Sequence, residues 1–285
     1  MSTTQDDART AGHPCTPMEP FGVRVDAATP GAPVTELPVE GLRELVRSHH
    51  LLLLRGFASP GGAEELAEYS ARWGELGMWP YGAVLELVEH DEPDDHIFDH
   101  RYVPLHWDSM YREQIAQFQV FHCVSAPGEG DGGRTTFSQT AAVLREADPA
   151  QRALWERVTG RYRREVAQVY AGECVSPVVT THPDGFPVIR YNEPVPPDEE
   201  FLNHPDLEFT GVPEELLPEF HSTLRAALYD PRHLYAHEWR TGDMVVADNY
   251  TLLHGREAFT SRSPRHLRRV HVLGTPPLKN TALVR

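Results

Sequence analysis

A histidine and an aspartate separated by one residue occur three times in the sequence, as His-Trp-Asp at 106–108 and as His-Pro-Asp at 182–184 and 204–206. An imidazole and a carboxylate that converge on one point can bind a divalent cation. The two copies with a central proline are typical of turns. Only the first copy lies in a strand-like segment, where residues i and i+2 point to the same face. His106 and Asp108 are therefore the candidate metal ligands.

A second histidine adds to this donor set. His254 lies at the end of an apolar, strand-like run in NYTLLHGREAF, far downstream of His106 and Asp108. Two histidines and one carboxylate form the facial triad of non-haem Fe(II) oxygenases, which leaves coordination positions open. A dication held by one carboxylate stays positive, so it can accept an anionic chelating co-substrate and dioxygen. The alternative is that each histidine is structural, and a His-x-Asp pattern alone favours that alternative.

A basic strand and a glycine-rich turn supply candidates for binding the co-substrate. In RHLRRVHV, an extended strand places Arg265 and Arg269 on one face, and the planar guanidinium of Arg265 is suited to a carboxylate. The alternative is a solvated edge strand. The turn GEGDGG matches the dinucleotide pattern G-x-G-x-x-G, but a strand-like segment follows it instead of a helix, which excludes that interpretation. The turn is instead predicted to deliver the Thr135 hydroxyl into the site.

The elements that must position these residues are mainly strands. Strand-like segments rich in aromatic and β-branched residues dominate the middle and the C-terminal third of the chain. Helical periodicity is confined to the start and to insertions between strands. Strands and helices do not alternate regularly, which disfavours a doubly wound fold. The sequence therefore predicts a mainly β protein with helical insertions around a jelly-roll core.

The chain has 285 residues, which is enough for one large domain or two small ones. No linker-like segment divides it, so we expect a single domain over residues 21–285, preceded by a flexible lead-in over residues 1–20. That N-terminal segment lacks the layout of a signal peptide. No apolar run approaches the roughly 20 residues that span a bilayer. These features predict a cytoplasmic protein without a membrane partner.

The formal net charge is −16, which argues against nucleic acid as a partner because phosphate contacts need clustered lysine and arginine. An anionic substrate would need local arginines that reverse the field at the site. The cysteines Cys15, Cys123 and Cys174 are odd in number and widely spaced, so they predict neither a disulfide framework nor a zinc site. The sequence leaves open whether the protein is a homo-oligomer.

Taken together, these residues resemble the motifs of the TauD/TfdA family of Fe(II)- and 2-oxoglutarate-dependent dioxygenases: His106-x-Asp108, Gly132-Gly133-x-Thr135, His254 and Arg265. The resemblance covers most of the chain and implies a double-stranded β-helix (jelly-roll) core. It implies His106, Asp108 and His254 as Fe(II) ligands, with 2-oxoglutarate and dioxygen as co-substrates. It assigns Arg265 and Thr135 to the distal carboxylate of 2-oxoglutarate.

Longer segments, among them SHHLLLLRGF, WPYGAVLELVEH and LLHGREAFTSRSPRHLRRVHV, are similar to the PvcB-type oxygenases of isonitrile biosynthesis within that family. This resemblance implies a role in secondary metabolism and a small anionic aromatic substrate. The expected substrate is an amino-acid-derived isonitrile carboxylate, with tyrosine as the parent amino acid. The implied reaction is benzylic hydrogen abstraction and decarboxylative desaturation to a vinyl isonitrile. The subgroup does not share one product, so hydroxylation stays an alternative outcome.

The substrate carboxylate needs a cation. Arg269 is the first candidate, because the resemblance matches it to a position that reaches the substrate's acidic group in some family members, and Arg190 is the second. Tyr102 is a candidate substrate contact, with packing on the strand as the alternative. The segment 91–100 is predicted to be an acidic surface loop rather than a lid. Two other functions are alternatives: a hydroxylase of another small anion in the same family, and a non-catalytic jelly-roll binding protein.

Overall fold

The computed structural model describes residues 9–164, 171–196, 199 and 201–284. Its strands in chain order are β1 (Cys15–Pro17), β2 (Val23–Asp26), β3 (Leu51–Arg55), β4 (Val84–Val88), β5 (Val103–His106), β6 (Gln114–Ser125), β7 (Thr135–Gln139), β8 (Thr159–Arg164), β9 (Gly172–Pro177), β10 (Val179–Thr181), β11 (Pro187–Ile189), β12 (Asp206–Thr210), β13 (Leu234–His237), β14 (Met244–Asp248), β15 (Leu252–Arg256), β16 (His266–Lys279) and β17 (Leu283–Val284). Its α-helices are α1 (Val39–His49), α2 (Ala63–Ala71), α3 (Thr140–Glu146), α4 (Pro149–Trp155) and α5 (Leu217–Leu228). Short 3-10 helices cover Val34–Glu36, His96–Phe98 and Glu214–Leu216.

Two sheets face each other and form the jelly-roll core. The large sheet has the strand order β1-β2-β3-β14-β6-β16-β4, and the small sheet has the order β13-β7-β15-β5. A four-stranded sheet, β12-β8-β9-β17, and the ribbon β10-β11 are added at the side of this core. The prediction of a mainly β fold with helical insertions and a jelly-roll core is confirmed.

Strand β3 shows how the large sheet is buried on both faces. Leu51 and Leu53 join the apolar cluster between the two sheets, together with Phe137 of the small sheet. Leu52 and Leu54 point the other way, into a cluster with helices α1 and α2. All four leucines are buried, because successive side chains of a strand alternate between its faces. The sequence of β3 is therefore apolar at consecutive positions, because both faces of the strand are buried.

The helices cover the outer faces of the two sheets. Helix α1 buries Leu42, Leu45 and Val46, which are the residues that its sequence periodicity predicts on one face. Helix α5 buries Phe220 and Leu224 in a separate cluster that covers the outer face of the small sheet. Among the described residues, no helix is both long and apolar enough to cross a membrane.

The predicted N-terminal lead-in is too long at its C-terminal end. Strand β1 pairs antiparallel with β2, with Cys15 opposite Val25. Thr10 is fully buried, and its hydroxyl donates to the His13 carbonyl at 2.7 Å. Residues 15–17 therefore belong to the large sheet, because their backbone groups pair with its edge. Residues 1–8 lie outside the described residues, and the extent of the single domain stays a prediction.

Candidate active site

Pairing between β5 and β15 brings the three predicted metal ligands together. His106 ends β5 and lies directly opposite His254 of β15 in the antiparallel register, and Asp108 follows just after β5. Nε2 of His106 lies 3.8 Å from Asp108 Oδ1, and Nε2 of His254 lies 3.6 Å from Asp108 Oδ2. The candidate ligand atoms of all three residues lie within 4.8 Å of one another. One cation can therefore contact all three.

Both imidazoles reach this point in neutral form. Nδ1 of His106 lies 2.9 Å from the Pro104 carbonyl, to which it donates, so Nε2 carries the lone pair. Burial lowers the pKa of His106 and lowers the pKa of His254 well below its usual value. Metal binding requires unprotonated imidazole. The two rings are therefore prepared for a cation.

The Asp108 carboxylate is held by three donors on one oxygen. Gln119 Nε2 and Arg269 Nη1 each lie 2.6 Å from Asp108 Oδ2, and His271 Nε2 lies 3.0 Å from it. Burial by itself would raise the pKa of Asp108, but Arg269 and His271 outweigh burial and hold this pKa well below its usual range. The carboxylate is therefore ionised.

This donor set fits Fe(II). Two neutral imidazole nitrogens and one ionised carboxylate are the ligands of the facial triad. Two of the three are oriented by further partners, as metal ligands usually are: the Pro104 carbonyl for His106, and Gln119 and His271 for Asp108. The neutral rings and the buried carboxylate match the charge that a dication requires.

A pocket that shares His106 and His254 with the triad also contains Thr135 and Arg265; we call it the inner pocket. Nε of Arg265 donates to the Gly133 carbonyl at 3.0 Å. Gly133 has a φ of +74°, and a Cβ there would lie 2.9 Å from Cδ of Arg265. Only glycine combines this backbone conformation with so close an approach. The glycine-rich turn therefore fixes the position of the arginine.

Arg265 and Thr135 line the inner pocket together and are candidates for binding a carboxylate there. Arg265 is only 3% exposed, and burial lowers its pKa to about 10. It is therefore charged at neutral pH but poorly solvated, which favours an anionic ligand. Trp239 Nε1 donates to Thr135 Oγ1 at 2.9 Å. The hydroxyl accepts from Trp239 and keeps its own hydrogen for an oxyanion.

A second pocket, the outer pocket, is lined by His106, Asp108 and Arg269. Arg269 lines the inner pocket as well. Its Nη1 binds Asp108, and a guanidinium carries five N–H donors in a planar fork, so further donors lie beside the triad. The first candidate for the substrate carboxylate is thus next to the candidate metal ligands.

The other two substrate candidates lie elsewhere. The guanidinium carbon of Arg190 lies 5.0 Å from the ring centroid of Trp107, which packs in the apolar cluster under helix α5. Tyr102 packs edge-on against Phe201 at 5.0 Å, and burial, together with Glu199, raises its pKa to about 12. Among the described residues, neither side chain lines the inner or the outer pocket. Both substrate contacts stay predictions.

Residues 12–271 match the family model described as taurine catabolism dioxygenase TauD, TfdA family. The chain belongs to the TauD/TfdA family. This membership, together with the donor set described above, confirms the predicted class of Fe(II)- and 2-oxoglutarate-dependent dioxygenase. Fe(II) is its cofactor, and 2-oxoglutarate and dioxygen are its co-substrates.

Several relatives of this TauD/TfdA enzyme are named for isonitrile synthesis. A tyrosine isonitrile desaturase of Pseudomonas aeruginosa is 52% identical over 267 residues, which cover 93% of this chain and 91% of that protein. A 3-((Z)-2-isocyanoethenyl)-1H-indole synthase of Fischerella ambigua is 38% identical over 257 residues, which cover 90% and 94%. The solved structure of PvcB, an Fe, alpha-ketoglutarate dependent oxygenase from an isonitrile synthetic pathway, matches with a TM-score of 0.84 and 45% identity, over 100% of this chain and 98% of that one.

Sequence reasoning missed four polar residues at the site of this TauD/TfdA enzyme. His271 follows Arg269 by two positions on β16, so strand alternation could have found it. Gln119 lies in the middle of β6, where its contact with the triad depends on how the strands pair. His96, in the 3-10 helix His96–Phe98, and His204, in a loop, line the outer pocket, and neither segment is long enough to give a periodic signal. His204 even belongs to a His-Pro-Asp copy that the sequence assigns to a turn.

The segment 91–100 is not the simple surface loop that the sequence predicts. Asp95 and Asp99 are buried, and Ile97 lines both pockets. Arg256 of β15 donates from Nη1 to the Ile97 carbonyl at 3.0 Å and from Nη2 to the Asp99 carbonyl at 2.5 Å. A buried backbone carbonyl needs such a donor. This guanidinium therefore ties the segment to β15, the strand that carries His254.

Replacing Arg256 with methionine is expected to loosen the segment 96–101. Buried carbonyls that lose their donors each cost about 1–3 kcal/mol, so the free energy of unfolding should fall by about 3 kcal/mol in urea denaturation. Hydrogen exchange followed by mass spectrometry should accelerate in peptides from 96–101 more than in β6. The exposed Arg240 is the control, and its methionine variant should change neither quantity. Equal exchange in the Arg256 variant and the wild type would contradict the tether.

Proposed function

We propose that this enzyme acts on an amino-acid-derived isonitrile carboxylate, the isonitrile of tyrosine, and converts it to a vinyl isonitrile. One observation carries the proposal: the candidate Fe(II) triad adjoins the buried carboxylate site of Arg265 and Thr135. Two relatives at 52% and 50% identity are named tyrosine isonitrile desaturase. The substrate is accordingly a small anionic aromatic acid.

The names of the relatives also bear on the product. A desaturase introduces a double bond, and the product of the indole relative carries an isocyanoethenyl group, a two-carbon unit without a carboxylate. That unit forms when the benzylic carbon loses a hydrogen atom and one further electron and the carboxylate on the neighbouring carbon leaves as carbon dioxide. The substrate then loses carbon dioxide and two hydrogens in total. In the same turnover, 2-oxoglutarate and dioxygen become succinate, carbon dioxide and water.

The side chains of the protein would bind the metal and the co-substrate and orient them for this reaction. When bound, Fe(II) with 2-oxoglutarate and dioxygen supplies the oxidant that removes the hydrogen atom. His106, Asp108 and His254 would hold the metal. Arg265 and Thr135 would bind the far carboxylate of 2-oxoglutarate in the inner pocket, where burial of the guanidinium excludes water from the ion pair.

Arg269 would orient the substrate. Its guanidinium lines both pockets beside the triad, so a substrate carboxylate bound to it lies next to the metal. The apolar side chains of Leu105, Met110 and Trp79 line the same outer pocket and suit an aromatic ring. Small differences in the position of the benzylic carbon decide between decarboxylative desaturation and hydroxylation.

The test is to incubate the enzyme with tyrosine isonitrile, Fe(II), 2-oxoglutarate and dioxygen and to follow products by mass spectrometry. The expected product is lighter than the substrate acid by carbon dioxide and two hydrogens, with one succinate formed per product. A product heavier by one oxygen would instead support the hydroxylase alternative, and loss of two hydrogens alone would contradict decarboxylation. Succinate formed no faster than in the substrate-free control would refute the isonitrile assignment.

We also propose that the enzyme works in the cytoplasm and without nucleic acid. Among the described residues, Cys15, Cys123 and Cys174 form no disulfide bond, which suits a reducing compartment. The net charge of −16 disfavours contact with a phosphate backbone. A homo-oligomer stays a prediction, which light scattering of the purified protein would decide.

A further inference from the structure

Two histidines outside the metal triad line the outer pocket. His96 begins the 3-10 helix His96–Phe98, and His204 lies shortly before strand β12. Their ring centroids are 6.1 Å apart. The ring of Phe201 packs against both, at 6.4 Å from His96 and 5.9 Å from His204. We call His96 and His204 the histidine pair.

The Asp95 carboxylate joins the two segments that carry the histidine pair. Its Oδ1 lies 3.1 Å from Nδ1 of His96. Its Oδ2 accepts from Asn203 Nδ2 at 3.0 Å and also pairs with Arg164. Because Asn203 precedes His204 directly, this network fixes one imidazole relative to the other. The pair is therefore a built feature of the pocket wall.

Backbone carbonyls set the tautomer of both rings. Nδ1 of His96 lies 3.0 Å from the Leu202 carbonyl, and Nδ1 of His204 lies 2.9 Å from the Pro205 carbonyl. A carbonyl only accepts, so each Nδ1 carries the hydrogen and each Nε2 carries a lone pair. Burial lowers the pKa of His204 and lowers that of His96 well below its usual value. Both Nε2 atoms are therefore neutral acceptors.

A pair of neutral acceptors selects for a donor in the ligand. A carboxylate has only acceptor oxygens at neutral pH, so the substrate carboxylate belongs at Arg269 and not at the histidine pair. An aromatic acid that binds Arg269 can place the far end of its ring elsewhere in the outer pocket. A hydroxyl at that end of the ring can donate a hydrogen bond to the Nε2 atoms of the histidine pair.

We propose that the histidine pair accepts the hydrogen bond of a phenolic hydroxyl and so makes the enzyme specific for para-hydroxylated aromatic substrates. The proposal rests on the proposed function, because it names the part of the substrate that the outer pocket recognises. A site that is built to hydrogen-bond a hydroxyl discriminates against the analogue that lacks it, since the buried acceptors then stay unpaired. The expected preference in kcat/KM is about 10- to 100-fold.

The experiment compares the isonitriles of tyrosine, phenylalanine and O-methyltyrosine as substrates. The wild type should prefer the tyrosine compound over both others. His204→Phe and His96→Phe should each reduce this preference, and the double variant should bring it to about 1 while turnover of the phenylalanine compound is retained. His204→Gln keeps an acceptor near the position of Nε2 and should retain most of the preference.

The sequence offers a matched control for these variants. His182 lies in the other His-Pro-Asp copy, is buried, and stacks on Phe186 at 4.2 Å outside the outer pocket. His182→Phe should leave the substrate preference unchanged. A preference that persists in the double variant of the histidine pair, or that falls equally in His182→Phe, would overturn the proposal.

A binding measurement separates this inference from the proposed function. Metal-free protein is titrated calorimetrically with 3-(4-hydroxyphenyl)propionate and with 3-phenylpropionate. The hydroxylated probe should bind about 10-fold more tightly, and His204→Phe should remove the difference. If the wild type fails to turn over tyrosine isonitrile but shows this difference, the proposed function fails and the phenol site stands. If turnover occurs but the probes bind equally, the phenol site fails alone.

Discussion

Arg265→Met is expected to weaken 2-oxoglutarate binding by roughly 30- to 5,000-fold, because truncating one partner of a buried ion pair costs about 2–5 kcal/mol. The large loss is expected because Arg265 is only 3% exposed and lines the inner pocket together with His254. The measurement is an anaerobic titration of the Fe(II)-loaded protein with 2-oxoglutarate, followed by the charge-transfer absorption. Thr135→Val should have a smaller effect of about 10-fold, since one hydroxyl donor to a charged group contributes about 1.5 kcal/mol.

The same strand provides the control for Arg265→Met. Arg268 lies on the opposite face of β16, where its Nε donates to Glu86 at 2.9 Å, away from both pockets. Arg268→Met should leave 2-oxoglutarate affinity unchanged. We further expect Arg265→Met to fold normally. Burial lowers the pKa of Arg265, which shows that burying this charge costs free energy, and methionine removes that cost in the protein without 2-oxoglutarate. Equal affinity in wild type and Arg265→Met, or an equal loss in Arg268→Met, would disprove the assignment.

Strand alternation explains which parts of the site were predictable. His106 and Asp108 are two residues apart in an extended segment. Arg265, just before β16, and Arg269, within β16, both line the inner pocket. Period-two geometry fixes such relations locally. The pairing of His106 with His254 depends on the fold, and it was accessible only through the resemblance to a family. Sequence alone therefore gave the donor types and their faces, while the topology brought them together.

Loop packing explains what was missed. The acidic composition of segment 91–100 predicts a solvated surface, but Arg256 binds its carbonyl groups and turns part of it into a wall of the pockets. Arg190, just after β11, carries the right charge for a substrate carboxylate, and its guanidinium stacks on Trp107. Residue type alone does not show which neighbours such a side chain contacts. The proline in His204-Pro-Asp206 indicates a turn rather than a binding site. A turn residue can still line a pocket when another segment packs against the turn.

Removing His106 and removing Asp108, two of the candidate iron ligands, are expected to affect the stability of the protein differently. His106→Ala and Asp108→Ala should both abolish the charge-transfer absorption and lower oxygen-dependent succinate formation by at least about 1,000-fold, since even changes outside the ligand set cost roughly 10- to 100-fold. Asp108 also neutralises Arg269, whose Nη1 lies 2.6 Å from its carboxylate. Removing one partner of a buried ion pair costs about 3–5 kcal/mol. Only Asp108→Ala should therefore lower the free energy of unfolding of the metal-free protein by that amount.

The double variant Asp108→Ala/Arg269→Met separates the two roles of this carboxylate. It removes both charges, so the free energy of unfolding in urea should recover most of the loss, whereas iron binding should stay absent because the oxygen ligand is still missing.

The histidine control is His266→Ala, which should retain iron and activity. His266 lies on the partly exposed side of β16, where its Nε2 pairs with Glu86. Recovery of iron binding in the double variant would show that Asp108 acts only by holding Arg269. Without recovery of stability, the pair with Arg269 would not be the source of the loss. The geometry allows both roles, because one oxygen of Asp108 is occupied by Arg269, Gln119 and His271 while the other faces His106. A single carboxylate can thus balance a buried arginine and still offer an oxygen to the candidate iron site.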